Sequence, residues 1–234
     1  MKLAIMQPYF LPYLGYFQLI NAVDEFVIYD DIEYTKKGWI NRNRLLSCQG
    51  EMLVTLPLRK GSDYLKVNQR YLADSWVKDR VKLNNRIRNW YIKAPYFESI
   101  EPIINQILFA PCVNLFDFIY NSLIHLLRYL QIQTPLIRSS TLDFDSSLKG
   151  EGKVLAICEL QSASEYLNPQ GGVELYDKAS FTRCGVDLQF LNCLPYEYEQ
   201  FSPPFTPFLS IVDVLMFNDL ATVKLMLNEQ YSIK

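Results

Sequence analysis

Short apolar runs alternate with helix-spaced segments along much of the chain. Leu3-Ala4-Ile5-Met6 is continuously apolar and ends at Gln7-Pro8, which predicts a buried strand followed by a break. Apolar residues at Leu14, Phe17, Ile20 and Val23 then recur at helical spacing, predicting a helix over 13–23. Phe26-Val27-Ile28-Tyr29 is a second buried strand that runs into Asp30-Asp31. Strand, helix and strand within some thirty residues form a βαβ unit, and that unit implies a parallel sheet.

The pattern changes over 39–72, where Met52 to Pro57 and Leu65-Lys66-Val67 predict short strands around turns at Gly50 and Gly61-Ser62. Helical spacing dominates 76–130, broken at Pro95 and Pro111. Afterwards the βα alternation resumes. A strand is predicted at 135–137, then a polar loop through Ser139, Ser140 and Asp145 to Gly152. A helix over 154–161, a strand at Tyr166-Leu167, a helix over 173–184 and a strand over 186–191 follow. A loop holding Pro195, Pro203, Pro204 and Pro207 leads to Ser210-Ile211-Val212-Asp213, a capping-box-like helix start. Two last helices are expected near 209–217 and 219–228. The expected fold is therefore one α/β domain over 1–234, doubly wound on a mostly parallel sheet. Its first strands are 2–6 and 26–30. Residues 35–130 form a mixed strand and helical insertion, and the C-terminal helices cover one sheet face.

Composition narrows the chemistry. Of 234 residues, 50% are hydrophobic and 21% charged, a globular balance that excludes disorder. There is a single histidine, His125, so multi-histidine metal sites and the H-E-x-x-H motif are excluded. His125 shares a helical stripe with Asn114, Asp117, Asn121 and Arg128, which places it on a solvated or interdomain face. The five cysteines form no C-x-x-C pair, and an odd count argues against a disulfide framework. Cys158, within the apolar Val154 to Ile157 pattern, is expected in the core. No apolar run is long enough for a membrane span or a signal peptide. The expectation is a soluble, cytoplasmic protein that uses neither metal nor cofactor.

Charge is segregated: residues 1–93 carry a net +6 and residues 94–234 a net −8. Lys36, Lys37, Arg42 and Arg44 form one basic cluster; Lys78, Arg80, Lys82, Arg86, Arg88 and Lys93 form another, relieved only by Asp79. A basic half on an acidic chain suits a phosphorylated small molecule better than extended nucleic acid. If Trp39 to Arg44 is extended, Asn41 and Asn43 share one face and Arg42 and Arg44 the other. Two such guanidiniums can grip a diphosphate while the amides read sugar hydroxyls; a structural Asn/Arg network is the alternative. Asp30 and Asp31 sit at a strand's carboxyl end, where site residues collect. They are the candidate catalytic pair, with capping as the alternative.

The loop from Gln7 to Phe17 contains no glycine-rich phosphate signature. Its strand–loop–helix opening resembles the nucleotidylyltransferase superfamily only in topology, since that group's two histidines are missing. A closer likeness exists. Met6 to Phe17, Asp30-Asp31, Tyr34 and Lys37 to Arg44 resemble the WbqC-like protein family. The likeness returns in Leu155 to Cys158, Tyr166 to Pro169, Gly171-Gly172 and Phe208 to Leu215. The resemblance implies a bacterial cytoplasmic protein of O-antigen or other surface-polysaccharide biosynthesis.

Three functions follow as expectations. The first is modification of a nucleotide-linked or lipid-linked amino sugar by acyl or aminoacyl transfer. The second is a noncatalytic sugar-nucleotide-binding or scaffold protein of the same pathway. The third is nucleotidyl transfer, disfavoured by the missing histidines. The expected site gathers Gln7, Tyr9, Lys37, Trp39, Asn41, Arg42, Asn43 and Arg44 in one cleft with Asp30 and Asp31. Gly171 and Gly172, between a strand and a helix, would offer backbone N–H groups to the ligand.

Overall fold

A computed structural model describes residues 1–145, 147–201 and 204–234; Pro203 of the proline-rich loop lies outside the described residues. Its centre is the predicted βαβ unit: β1 (Lys2–Met6), α1 (Leu14–Asn21) and β2 (Glu25–Ile28). β1 and β2 pair in parallel with Ala4 opposite Phe26 and Ile5 opposite Val27. β1 alternates its buried side chains between two cores. Leu3 and Ile5 join Val27, Val154, Ile157 and Tyr166 on one face, while Ala4 joins Phe17, Phe26, Leu123 and Leu167 on the other. A strand covered on both faces has to be apolar throughout, and that is why the 3–6 run was legible.

After β2 the chain builds a hairpin, β3 (Arg42–Ser47) and β4 (Gly50–Thr55), and three helices, α2 (Trp76–Tyr91), α3 (Phe97–Leu108) and α4 (Leu115–Leu130). The breaks at Pro95 and Pro111 fall between these helices, as predicted. β5 (Leu136–Arg138) then pairs in parallel with β2. α5 (Gly150–Leu160) carries the chain across to β6 (Glu165–Pro169), and α6 (Lys178–Arg183) leads to β7 (Asp187–Cys193). α7 (Ile211–Phe217), α8 (Leu220–Glu229) and β8 (Tyr231–Ile233) complete it. The six-stranded sheet has the order β5-β2-β1-β6-β7-β8, parallel except for the β7–β8 pair. From β1 the chain winds outward to β2 and β5, then returns to start β6 on β1's other side. The topological switch point therefore lies between β1 and β6. Among the described residues no helix is long and apolar enough to cross a membrane.

Two expected elements are corrected. Leu65-Lys66-Val67 is not a strand; it bridges Glu33 through Lys66 and enters a 3-10 turn over 67–69. There the Val67 and Asn68 N–H groups donate to the Ile32 and Asp30 carbonyls, so the triplet wraps the end of β2. The helix expected over 173–184 is divided into a 3-10 turn over 170–175 and α6, whose N-cap Asp177 accepts from Ala179 N. The break brings Tyr176 against Tyr166 and Phe181 in the core. His125 is half-buried on α4, with burial lowering its pKa, followed by the nearby Arg128 charge.

Candidate functional site

A cleft of about 650 Å³ opens over the carboxyl ends of β1, β6 and β7, at the switch point. Met6 and Gln7 come from the end of β1, and Tyr9 and Tyr13 from the loop that enters α1. Gly15 brings this helix start close to the sheet: a Cβ there would meet the Tyr13 ring at 2.3 Å and Cys193 Cβ at 2.9 Å. Asn168 to Gly172 and Tyr176 follow β6, while Asn192 and Cys193 end β7. Gly172 is needed because its Cα lies against the Asn168 amide, whose Nδ2 a Cβ would approach to 1.9 Å. Tyr29, Trp39, Asn43, Arg44 and Phe208 close the remaining wall.

Backbone strain and its restraints concentrate in the loops around this cleft. Leu11, Lys37 and Phe208 adopt positive φ (44°, 65° and 55°), each costing of order 1–3 kcal/mol unless the surroundings hold it. Asn43 Nδ2 donates to the Phe10 and Leu11 carbonyls at 3.0 and 2.7 Å, and Ser210 Oγ donates to Leu11 O at 2.7 Å. Arg44 Nη2 donates to Phe208 O at 3.1 Å, and its Nη1 pairs with Glu51 at 2.9 Å. Arg44 also lies 5.4 Å from the centre of the Trp39 ring. The segment leading to Phe208 is fastened by buried Asp213, which accepts from Tyr91 (2.7 Å), Tyr198 (2.6 Å) and Gln200 (3.0 Å). Burial raises the Asp213 pKa above the ordinary carboxylate value, against the opposing pull of those three hydrogen bonds.

A family model for the WbqC-like protein family matches residues 7–225. The chain belongs to the WbqC-like family. It is also 29% identical over 221 residues to the uncharacterized protein Rv1507c of Mycobacterium tuberculosis, covering 93% of each chain. No solved structure is significantly similar to it.

In this WbqC-like chain the sequence-predicted residues divide. Gln7, Tyr9, Trp39, Asn43, Arg44, Gly171 and Gly172 line the cleft together. Lys37, Asn41 and Arg42 lie off its wall. Lys37 is exposed, and Arg42 closes the preceding turn by donating to the Gly38 and Lys37 carbonyls. Asn41 is buried, donating to Leu56 O at 2.8 Å and accepting from the Tyr34 hydroxyl at 2.8 Å.

Asp30 and Asp31 follow Tyr29 but occupy a separate buried network. Asp30 accepts from Ser140 N (2.8 Å), Ser139 Oγ (3.0 Å) and Asn68 Nδ2 (3.1 Å). Asp31 pairs with Lys153 at 2.7 Å, and both side chains are about a tenth exposed. Burial raises the Asp31 pKa, but hydrogen bonds from Lys153 and Ser139 and the Lys153 and Lys66 charges outweigh it, so the carboxyl sits below its ordinary value. Lys153 Nζ also lies 4.9 Å from the centre of the Tyr29 ring, which connects this network to the cleft wall.

Tyr13, Tyr29, Asn168, Tyr176, Asn192, Cys193 and Phe208 were missed as site residues. Asn168, Asn192 and Cys193 were findable, because each lies at the carboxyl end of a strand expected in a parallel sheet. Phe208 had only its place in the 208–215 segment that resembles the family. Among the described residues no carboxylate lines the cleft, and Arg44 is its one cation. Burial raises the pKa of Tyr9 and Tyr29, pushes Tyr13 up to about 12, and pushes the Cys193 thiol up to about 11. These groups stay protonated at neutral pH. The lining offers aromatic faces, neutral hydroxyl donors and amides, with one guanidinium at the wall.

Proposed function

We propose that the cleft binds a nucleotide-linked or lipid-linked amino sugar and that the protein serves surface-polysaccharide biosynthesis by acyl or aminoacyl transfer to that sugar. The lining of the switch-point cleft carries this reading. Aromatic faces suit the C–H faces of a pyranose ring, amides suit its hydroxyls, and Arg44 supplies a charge-assisted contact for phosphate. In such a transfer the neutral amine attacks the donor's carbonyl carbon, forming the C–N bond. Negative charge collects on the carbonyl oxygen, which a neutral phenol of Tyr9, Tyr13 or Tyr29 can meet with a hydrogen bond. The leaving group departs with the bonding pair, and the amine's proton goes to it or to water. Asp30, Asp31 and Lys153 then act as positioning residues behind Tyr29.

Isothermal titration with UDP-, dTDP- and GDP-linked amino sugars tests the binding. Arg44→Ala is expected to weaken the ligand that binds by ~10–100-fold, with the fold intact. Arg42→Ala is expected to change affinity less, because Arg42 lies off the cleft wall. Unchanged affinity in Arg44→Ala would place the phosphate elsewhere.

A second reading, sugar-nucleotide binding without catalysis, is favoured by a cleft whose described lining holds neither carboxylate nor histidine. Mass spectrometry of the surface polysaccharide from a deletion strain separates the two. Loss of one substituent supports transfer, truncated or missing chains support a scaffold, and an unaltered polymer rejects both.

A further inference from the structure

The second basic cluster lies on α2, with Lys93 just past its end, away from the cleft residues. The inward side of this helix buries Trp76, Leu83, Ile87 and Tyr91. Its outward side is divided along its length. Val77 and Val81, one turn apart, make an apolar pair that is 62% and 45% exposed; the C-cap Ile92, 53% exposed, lies about three turns further on, beyond exposed Asn85, Arg88 and Asn89. Lys78, Lys82 and Arg86 at four-residue intervals, with Lys93 about two turns beyond, make a parallel cationic stripe that is also exposed. Arg80 stacks over half-exposed Phe109 at 5.3 Å, and Tyr71 pairs beside Val113, which is 62% exposed.

We propose that this outward face of α2 docks on an anionic lipid surface. Exposed Asn85, Arg88 and Asn89 share the arc with the two valines, so cations outweigh apolar side chains on it and an anionic partner suits it better than an apolar one. A helix lying on an anionic interface uses a shallow apolar edge, here Val77 and Val81, flanked by long cationic side chains that reach the phosphates. Charge supports the same partner. Over residues 76–93 six cations meet one acid, Asp79, although the whole chain carries a net −2. Lys82 pairs with that acid and Arg88 with Glu101, while Lys78, Arg86 and Lys93 make no ion pair among the described residues. The docking surface is independent of what the cleft binds.

Vesicle sedimentation of the full chain tests it, using phosphatidylcholine alone and an equal mixture of phosphatidylcholine and phosphatidylglycerol. The expected result is binding to the mixed vesicles only, weakening as salt rises through the physiological range. The triple variant Lys78→Glu, Lys82→Glu, Arg86→Glu should bind at least about tenfold more weakly, and Val77→Ser with Val81→Ser should weaken binding at unchanged charge. All five positions are solvent-exposed, so thermal melts matching wild type are expected. No binding to mixed vesicles would overturn the proposal. So would equal binding to neutral ones, binding that the variants leave unaltered, or self-association that they abolish.

Discussion

Asp31→Ala should destabilise the protein by about 3–5 kcal/mol, the usual cost of removing one partner from a buried ion pair. Lys153 is 8% exposed in its side chain and loses its 2.7 Å carboxylate partner. The Tyr29 and Phe144 rings, with centres 4.9 and 5.3 Å from its Nζ, do not replace a full negative charge. Urea unfolding at neutral pH measures the loss. A change below about 1 kcal/mol would mean that Lys153 reaches water in the variant. The pH dependence has a definite sign. The folded Asp31 carboxyl titrates below its ordinary value, so its contribution is full above that value and is lost as pH falls towards the folded one. The wild type therefore has an acid-sensitive contribution that the variant lacks. Adding Lys153→Met to Asp31→Ala should recover most of the loss, because the stranded charge is then gone.

The central sheet was legible because both its faces are buried. A strand such as Leu3 to Met6 has to be apolar throughout, and two such strands around a short helix leave few arrangements other than the parallel pair observed. The cleft was expected between the first loop and the end of β2, with Asp30 and Asp31; it opens instead over the carboxyl ends of β1, β6 and β7. The roles of individual polar residues did not follow. Asn41 and Asn43 are both buried, yet they serve the backbone carbonyls of Leu56, Phe10 and Leu11. An amide that reads a ligand and one that satisfies a distant loop have identical sequence neighbours. β8 was invisible for a different reason: three residues pair only with the edge of β7 and show no periodicity of their own. Trp39 and Phe208 meet around Arg44 although they are far apart in the chain, a juxtaposition that no local pattern encodes.

Asn43→Ala is expected to cost roughly 1–3 kcal/mol, since the Phe10 carbonyl loses its side-chain donor and the Leu11 carbonyl loses one of two. Asn43 is 5% exposed, so water replaces those hydrogen bonds poorly. The consequence for the cleft is larger than the stability figure conveys. Leu11 is held at φ 44° partly by that amide, and Tyr9 and Tyr13 flank it on the cleft wall. With Ser210 Oγ as the remaining side-chain donor to Leu11 O, the loop can relax towards ordinary φ and carry both phenols off the wall. Thermal melts and ligand titration should therefore fall together, with affinity weakened at least about tenfold. Asn43→Asp is the sharper comparison. It keeps the side chain's size and its acceptor for the Arg44 N–H (2.8 Å in the wild type), but turns a carboxylate towards two carbonyl oxygens. It should be at least as damaging as alanine if donation from Nδ2 holds the loop. If Asn43→Asp instead melts and binds like wild type, packing alone shapes the first loop and the amide has no part in the cleft.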